Sequence, residues 1–403
     1  MTQTPAISVI IVSRDRPLSL ARTLLSLRFQ TFQEFEVIVV APYKGNDDDV
    51  TWVSYDEENI AAARNLGIQH ARGEILAFLD DDAIPEPSWL TELHRCFENN
   101  HVGAAGGFVR KRDGIAHQWR GLETDSLGID HKIEISALMS AGMHEGRHLK
   151  IQGTNMAYRR KAVEKIGGLF DEAFKFYFEE TDLTRRLAQD GWKIAVNPHA
   201  EVLHLDAPSK HRSSVRIPRS MAQLGSSWRH FIEKHHRSGD TDRDTQQILH
   251  LQKRRLEDLY AYGWLEAREI RNLFEEFSAN LCKDPSASIV PKLTKKAREG
   301  SRFKTFQKTP ITLSGSIWSA RKLRAEASRL AQLRHPVFVI ILSRTAIPHR
   351  RRFVKDGYWL QTGGVFGRSS DQSNYFQWVR LKKRAKLEYE RVSKEANFGW
   401  SDS

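Results

Sequence analysis

The amino-acid sequence predicts an α/β protein: a Rossmann-like, mostly parallel sheet flanked by helices, followed by a basic, mainly helical C-terminal region. Three observations carry that prediction. In the first half of the 403 residues, short apolar runs rich in β-branched residues alternate with segments whose apolar residues recur at helical spacing, the pattern of a doubly wound sheet. One of those runs ends directly in Asp80, Asp81 and Asp82, and ligands of such sheets bind outside the carboxyl ends of the strands. The charge also divides: residues 1–205 hold 23 Lys/Arg against 30 Asp/Glu, and residues 206–403 hold 39 against 20.

The elements follow in order. Residues 7–12 (Ile-Ser-Val-Ile-Ile-Val) are a strand buried on both faces. After the polar turn 13–17, residues 18–27 form a helix with apolar positions 20, 24 and 27 on one stripe. Residues 35–40 and 51–55 are the next strands, 60–71 a helix ending near Gly73, and 74–79 the strand that runs into the aspartates. Beyond it, 102–109 is a strand with close backbone packing, 153–158 a loop entering a strand, and 162–166 a short helix stopped by Gly167-Gly168. A helix over 180–190 with Leu183 and Leu187 on one face is closed by Gly191, and strands at 192–196 and 200–205 finish the unit.

Composition narrows the function classes. No apolar run approaches the ~18 residues of a membrane span, and the first run, Ile7 to Val12, is too short for a signal peptide. Two distant cysteines, Cys96 and Cys282, define neither a disulfide framework nor a zinc site. The chain reads as cytoplasmic, or peripheral at the inner face of a membrane.

Three carboxylates held at a strand end repel one another unless something neutralises them. A divalent cation with oxygen preference, Mg2+ or Mn2+, does so through one or two carboxylates plus substrate phosphates. A solvated acidic turn is the structural alternative. Likewise Glu179, Glu180 and Asp182 are either the acidic first turn that a helix dipole favours or a source of general base.

In sum these segments resemble family 2 glycosyltransferases, which have the GT-A fold. Leu79-Asp-Asp-Asp-Ala-Ile-Pro85 resembles the family's Asp-x-Asp segment, and Ser8 to Pro17 its opening strand and nucleotide loop, with Ser13 and Arg14 facing the donor. Ala63-Arg-Asn-Leu-Gly67 resembles the helix before the aspartate strand, and Gly153-Thr-Asn155 and Ile166 to Asp171 the segments before the catalytic acid. Phe178-Glu-Glu-Thr-Asp-Leu183 resembles the Glu-Asp-x-Asp-Leu box, and Val202-Leu-His204 the closing strand. The match spans roughly residues 6–206.

The resemblance implies transfer of a sugar from a nucleotide donor, UDP-sugar favoured, to a hydroxyl of a glycan or lipid-linked acceptor, with inversion. Asp82 and Asp80 then hold the metal with His204 beside them, Asp81 supports them, and Arg64 pairs with the diphosphate. Glu180 is the base, with Glu179, Asp182 and Asn155 on the acceptor side. One departure stands out: where the family has a base-reading aspartate after the second strand, this sequence has Ala41-Pro42, followed by Asp47, Asp48 and Asp49. The alternative reading is a GT-A-like module that binds nucleotide sugar or glycan without turnover, joined to an anion-binding region.

No family is recognised in the back half. Residues 244–282 have a helical pattern, 316–334 form a second helix, 337–342 a strand, and 375–392 a third helix; 356–364 are too Gly-rich and aromatic for a helix. The implied organisation is a transferase domain at 1–210, a helical extension at 211–282, an irregular linker at 283–314 and a basic region at 315–403. A basic unit suits an anionic membrane surface or acidic glycan; no nucleic-acid module is apparent.

Overall fold

A computed structural model of the chain describes residues 4–133, 146–205, 213, 216–236, 241–293, 300–370 and 379–396. Its main sheet has nine strands. Four run parallel side by side: β3 (Val50–Ser54), β2 (Phe35–Ala41), β1 (Ile7–Val12) and β4 (Ile75–Leu79). β11 (Asn155–Arg159) is antiparallel to both β4 and β6 (Val102–Arg110), β12 (Lys193–His204) is parallel to β6, and the short β5 (Ala83–Pro85) closes the edge antiparallel to β12. β7 (His117–Trp119) pairs with β6 off this path. Helices α1 (Pro17–Leu27), α2 (Ile60–Gln69), α3 (Trp89–Cys96), α4 (Arg160–Lys165) and α5 (Glu179–Gln189) connect the strands.

Every residue of β2, β4 and β6 is buried, which explains their largely apolar sequences: both faces of the sheet are covered, and the two charged exceptions, Glu36 and Arg110, are paired with Arg72 and Glu201. The strands expected at 192–196 and 200–205 are one element, β12, whose pairing with β6 shifts register between Asn197 and Val202. That irregularity interrupts the apolar pattern without ending the strand. A small second sheet joins β10 (His148–Lys150), β8 (Leu122–Thr124) and β9 (Asp130–Lys132).

The back half is not a separate body. Helices α6 (Ala222–His235), α7 (Thr241–Ala261) and α8 (Ala267–Leu281) pack into a cluster with Phe174 and Phe178 of the front half. The helical pattern over 244–282 is divided at Gly263, whose φ of +70° ends α7, and a capping box of Glu266 and Glu269 restarts the chain as α8. Within the stretch 283–314, Phe303 lies buried against Phe35 and its N–H donates to the Phe35 carbonyl at 3.0 Å. It straps back onto the start of β2.

Past residue 310, helices α9 (Ala320–Gln332) and α10 (Leu381–Ala396) are present; residues 375–378 of the expected third helix lie outside the described residues. The structure adds a four-stranded sheet of order β13 (Ile311–Ser316), β14 (Val337–Ser343), β16 (Tyr358–Gly364), β15 (Arg350–Val354). Only β14 has the apolar sequence that announces a strand. β15 is arginine-rich and β16 ends in glycines, so their partners, not their composition, decide them.

This sheet docks on the front half through Phe29, Ile84 and Leu203, which share one apolar cluster with Phe338, Phe353 and Trp359. Arg351 adds a buried ion pair to Glu86 at 2.8 Å. Deleting a buried phenyl ring there removes contacts to both halves, so Phe353→Ala is expected to lower stability by about 3–5 kcal/mol. Urea unfolding followed by tryptophan fluorescence and by circular dichroism should show one common, shifted midpoint.

Candidate active site

The site lies beyond the carboxyl ends of β1 and β4, where a cavity of about 540 Å3 is lined by Arg14, Arg64, Asp80, Asp82, Glu179, Glu180 and His204. At the end of β1, the Ser13 N–H donates to the Val40 carbonyl, fixing the turn, and its hydroxyl donates to Asp81 Oδ2 at 2.7 Å. Arg16, at the start of α1, reaches Asp81 at 2.8 Å and Asp82 at 3.3 Å. Asp81 is fully buried and serves this scaffold rather than the cavity. Burial pushes its carboxyl up to about 7 against the opposing pull of Arg16.

Asp80, Asp82 and His204 each offer a ligand atom, and these atoms lie within 4.8 Å of one another. His204 Nε2 stands 3.2 Å from Asp82 and 4.0 Å from Asp80, while its Nδ1 lies 3.1 Å from Gln118 Oε1. With Nδ1–H donating to that amide oxygen, Nε2 presents a lone pair toward the two carboxylates. Two carboxylate oxygens and one imidazole nitrogen converging in this way fit a hard or borderline divalent cation such as Mn2+ or Mg2+. The hydroxyl of Thr154 donates to Asp80 at 2.7 Å and holds it in this orientation.

Arg64 is buried on α2 and pairs with Glu179 at 2.5 Å and, more loosely, with Asp80 at 3.8 Å. It ties the aspartate strand to the first turn of α5. Arg14 is partly exposed at the cavity mouth and pairs with Asp56 at 3.2 Å. Glu180, one residue beyond Glu179, borders both the first cavity and a second beside it. Burial pushes its carboxyl up to about 8; Glu179 adds to the rise and Lys150 and Arg64 oppose it.

Two residues expected on the acceptor side serve the fold instead. Asn155 is fully buried, accepts from Trp89 Nε1 at 2.8 Å and donates to the carbonyls of Phe108 and Ala200. Asp182 points away from the cavity to Arg186, Lys234 and His235, at 2.8–2.9 Å. Although burial disfavours its charge, Arg186, then His235 and Lys234, hold its carboxyl well below the usual range. Asp47 and Asp49 clamp Arg28 at 2.7 and 2.6 Å, which turns them to a different surface from the first cavity.

Arg16, Thr154, Gln118 and Lys150 were not singled out by sequence reasoning. Thr154 sits inside a recognised motif and Arg16 directly before Pro17, the first residue of α1, so both had a local signal. Gln118 and Lys150 had none, because long-range pairing of β7 and β10 brings them in.

Against known proteins, residues 8–167 match the model of the family Glycosyl transferase family 2. Residues 8–167 are therefore similar to a family 2 glycosyl transferase, as their motifs indicate. The chain is 28% identical over 234 residues to the O-antigen biosynthesis protein RfbC of Myxococcus xanthus, covering 53% of this chain and 18% of that protein. It is 26% identical over 179 residues to the glucosyl-dolichyl phosphate glucuronosyltransferase of Haloferax volcanii, covering 40% and 55%. The chain thus spans from under a fifth to about half the length of these curated relatives. Among solved structures, a mannosyltransferase of Pyrobaculum calidifontis in complex with GDP-Man and Mn2+ aligns over 70% of this chain and 86% of its own, at 17% identity and a TM-score of 0.42.

The raised Glu180 carboxyl has a consequence for stability. A carboxyl near 8 when folded and near 4.5 when unfolded is protonated in the native state while the unfolded chain has already ionised. The native state then binds more protons, so stability falls as pH rises from about 4.5 to about 8. Glu180→Gln, which cannot titrate, should match the parent below pH 4.5 and melt at a higher temperature near pH 8. Calorimetric scans across that range decide it; equal melting temperatures near pH 8 would remove the perturbed carboxyl.

Proposed function

We propose that the protein is an inverting, metal-dependent glycosyltransferase that moves a sugar from a nucleotide-sugar donor to a hydroxyl acceptor in glycan or polysaccharide assembly. The observation that carries this reading is the placement of Glu180: it faces the same cavity as Asp80, Asp82 and His204, and opens onto a second cavity. Displacement with inversion needs that separation, with a base on one side of the anomeric carbon and stabilisation of the departing diphosphate on the other. In its ionised form, the form that grows as pH approaches 8, Glu180 takes the proton of the attacking hydroxyl as the hydroxyl oxygen bonds to the anomeric carbon. The bond from that carbon to the diphosphate breaks, and the nucleoside diphosphate leaves with the electron pair.

Asp80, Asp82 and His204 would hold Mn2+ or Mg2+, which when bound neutralises charge developing on the leaving diphosphate. Arg64 keeps Glu179 and Asp80 in place through its two ion pairs, and Arg14 stands at the cavity mouth for phosphate oxygens. With Ala41-Pro42 directly after β2 and Asp47 and Asp49 committed to Arg28, a UDP-sugar is favoured on family resemblance alone. The names of the Myxococcus relative and of a succinoglycan biosynthesis protein of Rhizobium meliloti support a glycan product, and that of the Haloferax relative supports a lipid-linked acceptor.

Asp82→Ala should abolish Mn2+-dependent nucleotide binding in calorimetry, whereas Glu180→Gln should keep that binding and lose at least ~100-fold in kcat. Donor binding that ignores both the metal and Asp82 would overturn the donor-site reading. Turnover near the parent level in Glu180→Gln would overturn the base.

Peripheral association with an anionic membrane face belongs to the same proposal. No helix among the described residues is long and apolar enough to cross a membrane. Ile317 and Trp318 are nonetheless exposed, Trp318 by 94%, immediately before α9 with its exposed Arg321, Lys322 and Arg324. An interfacial aromatic beside basic side chains suits a lipid surface. Sedimentation with phosphatidylserine vesicles at ~50 mM salt should pull down the chain, less so at higher salt, and Trp318→Ala should weaken it several-fold. Binding indifferent to salt and to Trp318 would refute that surface.

A further inference from the structure

The second cavity, of about 400 Å3, is built mostly by parts of the chain beyond the family match, with Gly128, Ile129, Asp130 and Lys150 contributed from within it. Its walls come from the turn before α6, from α6 and from α7, and Tyr177, Glu180 and Arg216 line it as well as the first cavity. The wall is largely apolar: Phe178, Met221, Leu224, Trp228 and Leu256 face it. Lys150, held to Asp130 at 2.9 Å, lines it near Glu180.

Charged side chains line it too (Asp130, Lys150, Glu180, Arg216 and Arg255), and one uncharged amide stands among them. Gln252, on α7, is 4% exposed and lines the cavity, and its Oε1 is buried without a hydrogen-bond partner among the described residues. A buried amide oxygen left unpaired costs about 1–3 kcal/mol, so such a group marks a place where a donor arrives with a ligand. A volume of this size holds a ring with a substituent, and a few convergent polar groups in an apolar wall are what orient a small molecule.

From these features we infer that the chamber is the acceptor subsite and that its occupant is a glycoside with an apolar aglycone. A ring hydroxyl donates to Gln252 Oε1, the aglycone lies against Met221, Leu224 and Leu256, and the reacting hydroxyl meets Glu180. This rests on the transferase reading for the role of Glu180, while the binding itself does not. Gln252 is a specificity residue: it favours a hydroxylated ring over an apolar one beside the pocket's apolar wall, because a ligand lacking the hydroxyl leaves the amide oxygen unpaired.

The test uses the full chain and paired probes, the hexyl and methyl glycosides of glucose, galactose, mannose and rhamnose, with binding read by saturation-transfer NMR and titration. At least one hexyl glycoside should bind at least tenfold more tightly than its methyl partner. Gln252→Leu, which keeps the volume and removes the unpaired oxygen, should weaken that glycoside at least fivefold and reduce saturation transfer to its ring more than to its chain. Leu224→Gln should bring the hexyl glycoside to the methyl level. If no hexyl glycoside exceeds its methyl partner, or if Gln252→Leu binds as the parent does, the subsite is overturned. Mn2+-dependent nucleotide binding, measured on the same samples, separates the two readings. Its loss with glycoside binding intact refutes the proposed function alone, and the reverse refutes the acceptor chamber alone.

Discussion

Five carboxylates crowd one end of the main sheet, and much of the surrounding structure answers their repulsion. Asp80, Asp81 and Asp82 leave β4 together, and Glu179 and Glu180 approach from α5. At protein-interior distances such charges cannot all remain ionised without counter-charges. Arg16 meets Asp81 and Asp82, Arg64 meets Glu179 and Asp80, and Lys150 counters Glu180 from across the second cavity. Each cation arrives on a different element: the start of α1, the middle of α2 and β10. The cluster therefore constrains three connections of the fold at once, and the residual strain falls on Asp81 and Glu180, the two carboxyls displaced upward.

A second set of charges joins the halves. Lys234 on α6 bridges Asp171 at 2.7 Å and Asp182 at 2.8 Å, with His230 and His235 beside it, and Ser288 donates to Asp171 from the stretch after α8. Burying these carboxylates is tolerable because each is paired on several sides. The acidic balance of the front half and the basic balance of the back half are thus partly an internal complementarity. Segments following the transferase region complete its interior, and they also build the wall of the second cavity.

The front half was legible because burial on both faces writes itself as apolar runs, and because the aspartates follow such a run without a break. The same logic failed at β15 and β16, whose arginines and glycines carry no strand signal until β14 pairs with β16 and β16 with β15. Within the site, spacing along the chain placed Asp80, Asp82, His204 and Glu180 on one cavity, yet could not distinguish Glu180 from Asp182. The two lie on the same helical turn, and what separates them is the partner each meets: a cavity for one, Lys234 and His235 for the other. Those partners sit about fifty residues away, on a helix with no family resemblance to guide its docking. Asn155 was misread for a similar reason, since its side chain turns inward to bond Trp89 and two carbonyls.

The orientation of α5 also depends on the back half. Tyr177 and Phe178 both adopt left-handed backbone conformations, with φ of 72° and 70°, unusual for bulky residues and costing roughly 1–3 kcal/mol each. Their reward is directional: the chain reverses sharply, and α5 begins with Glu179 against Arg64 and Glu180 between the two cavities. The strain is offset by the ring of Phe178, which packs against Trp228 at 5.3 Å and Phe231 at 5.0 Å, contacts worth about 0.5–1.5 kcal/mol each beyond their buried area. Both partners belong to α6. The helix that follows the transferase region therefore holds in place the backbone turn that aims its carboxylates, so the geometry of the base and the shape of the neighbouring chamber are set by one packing event.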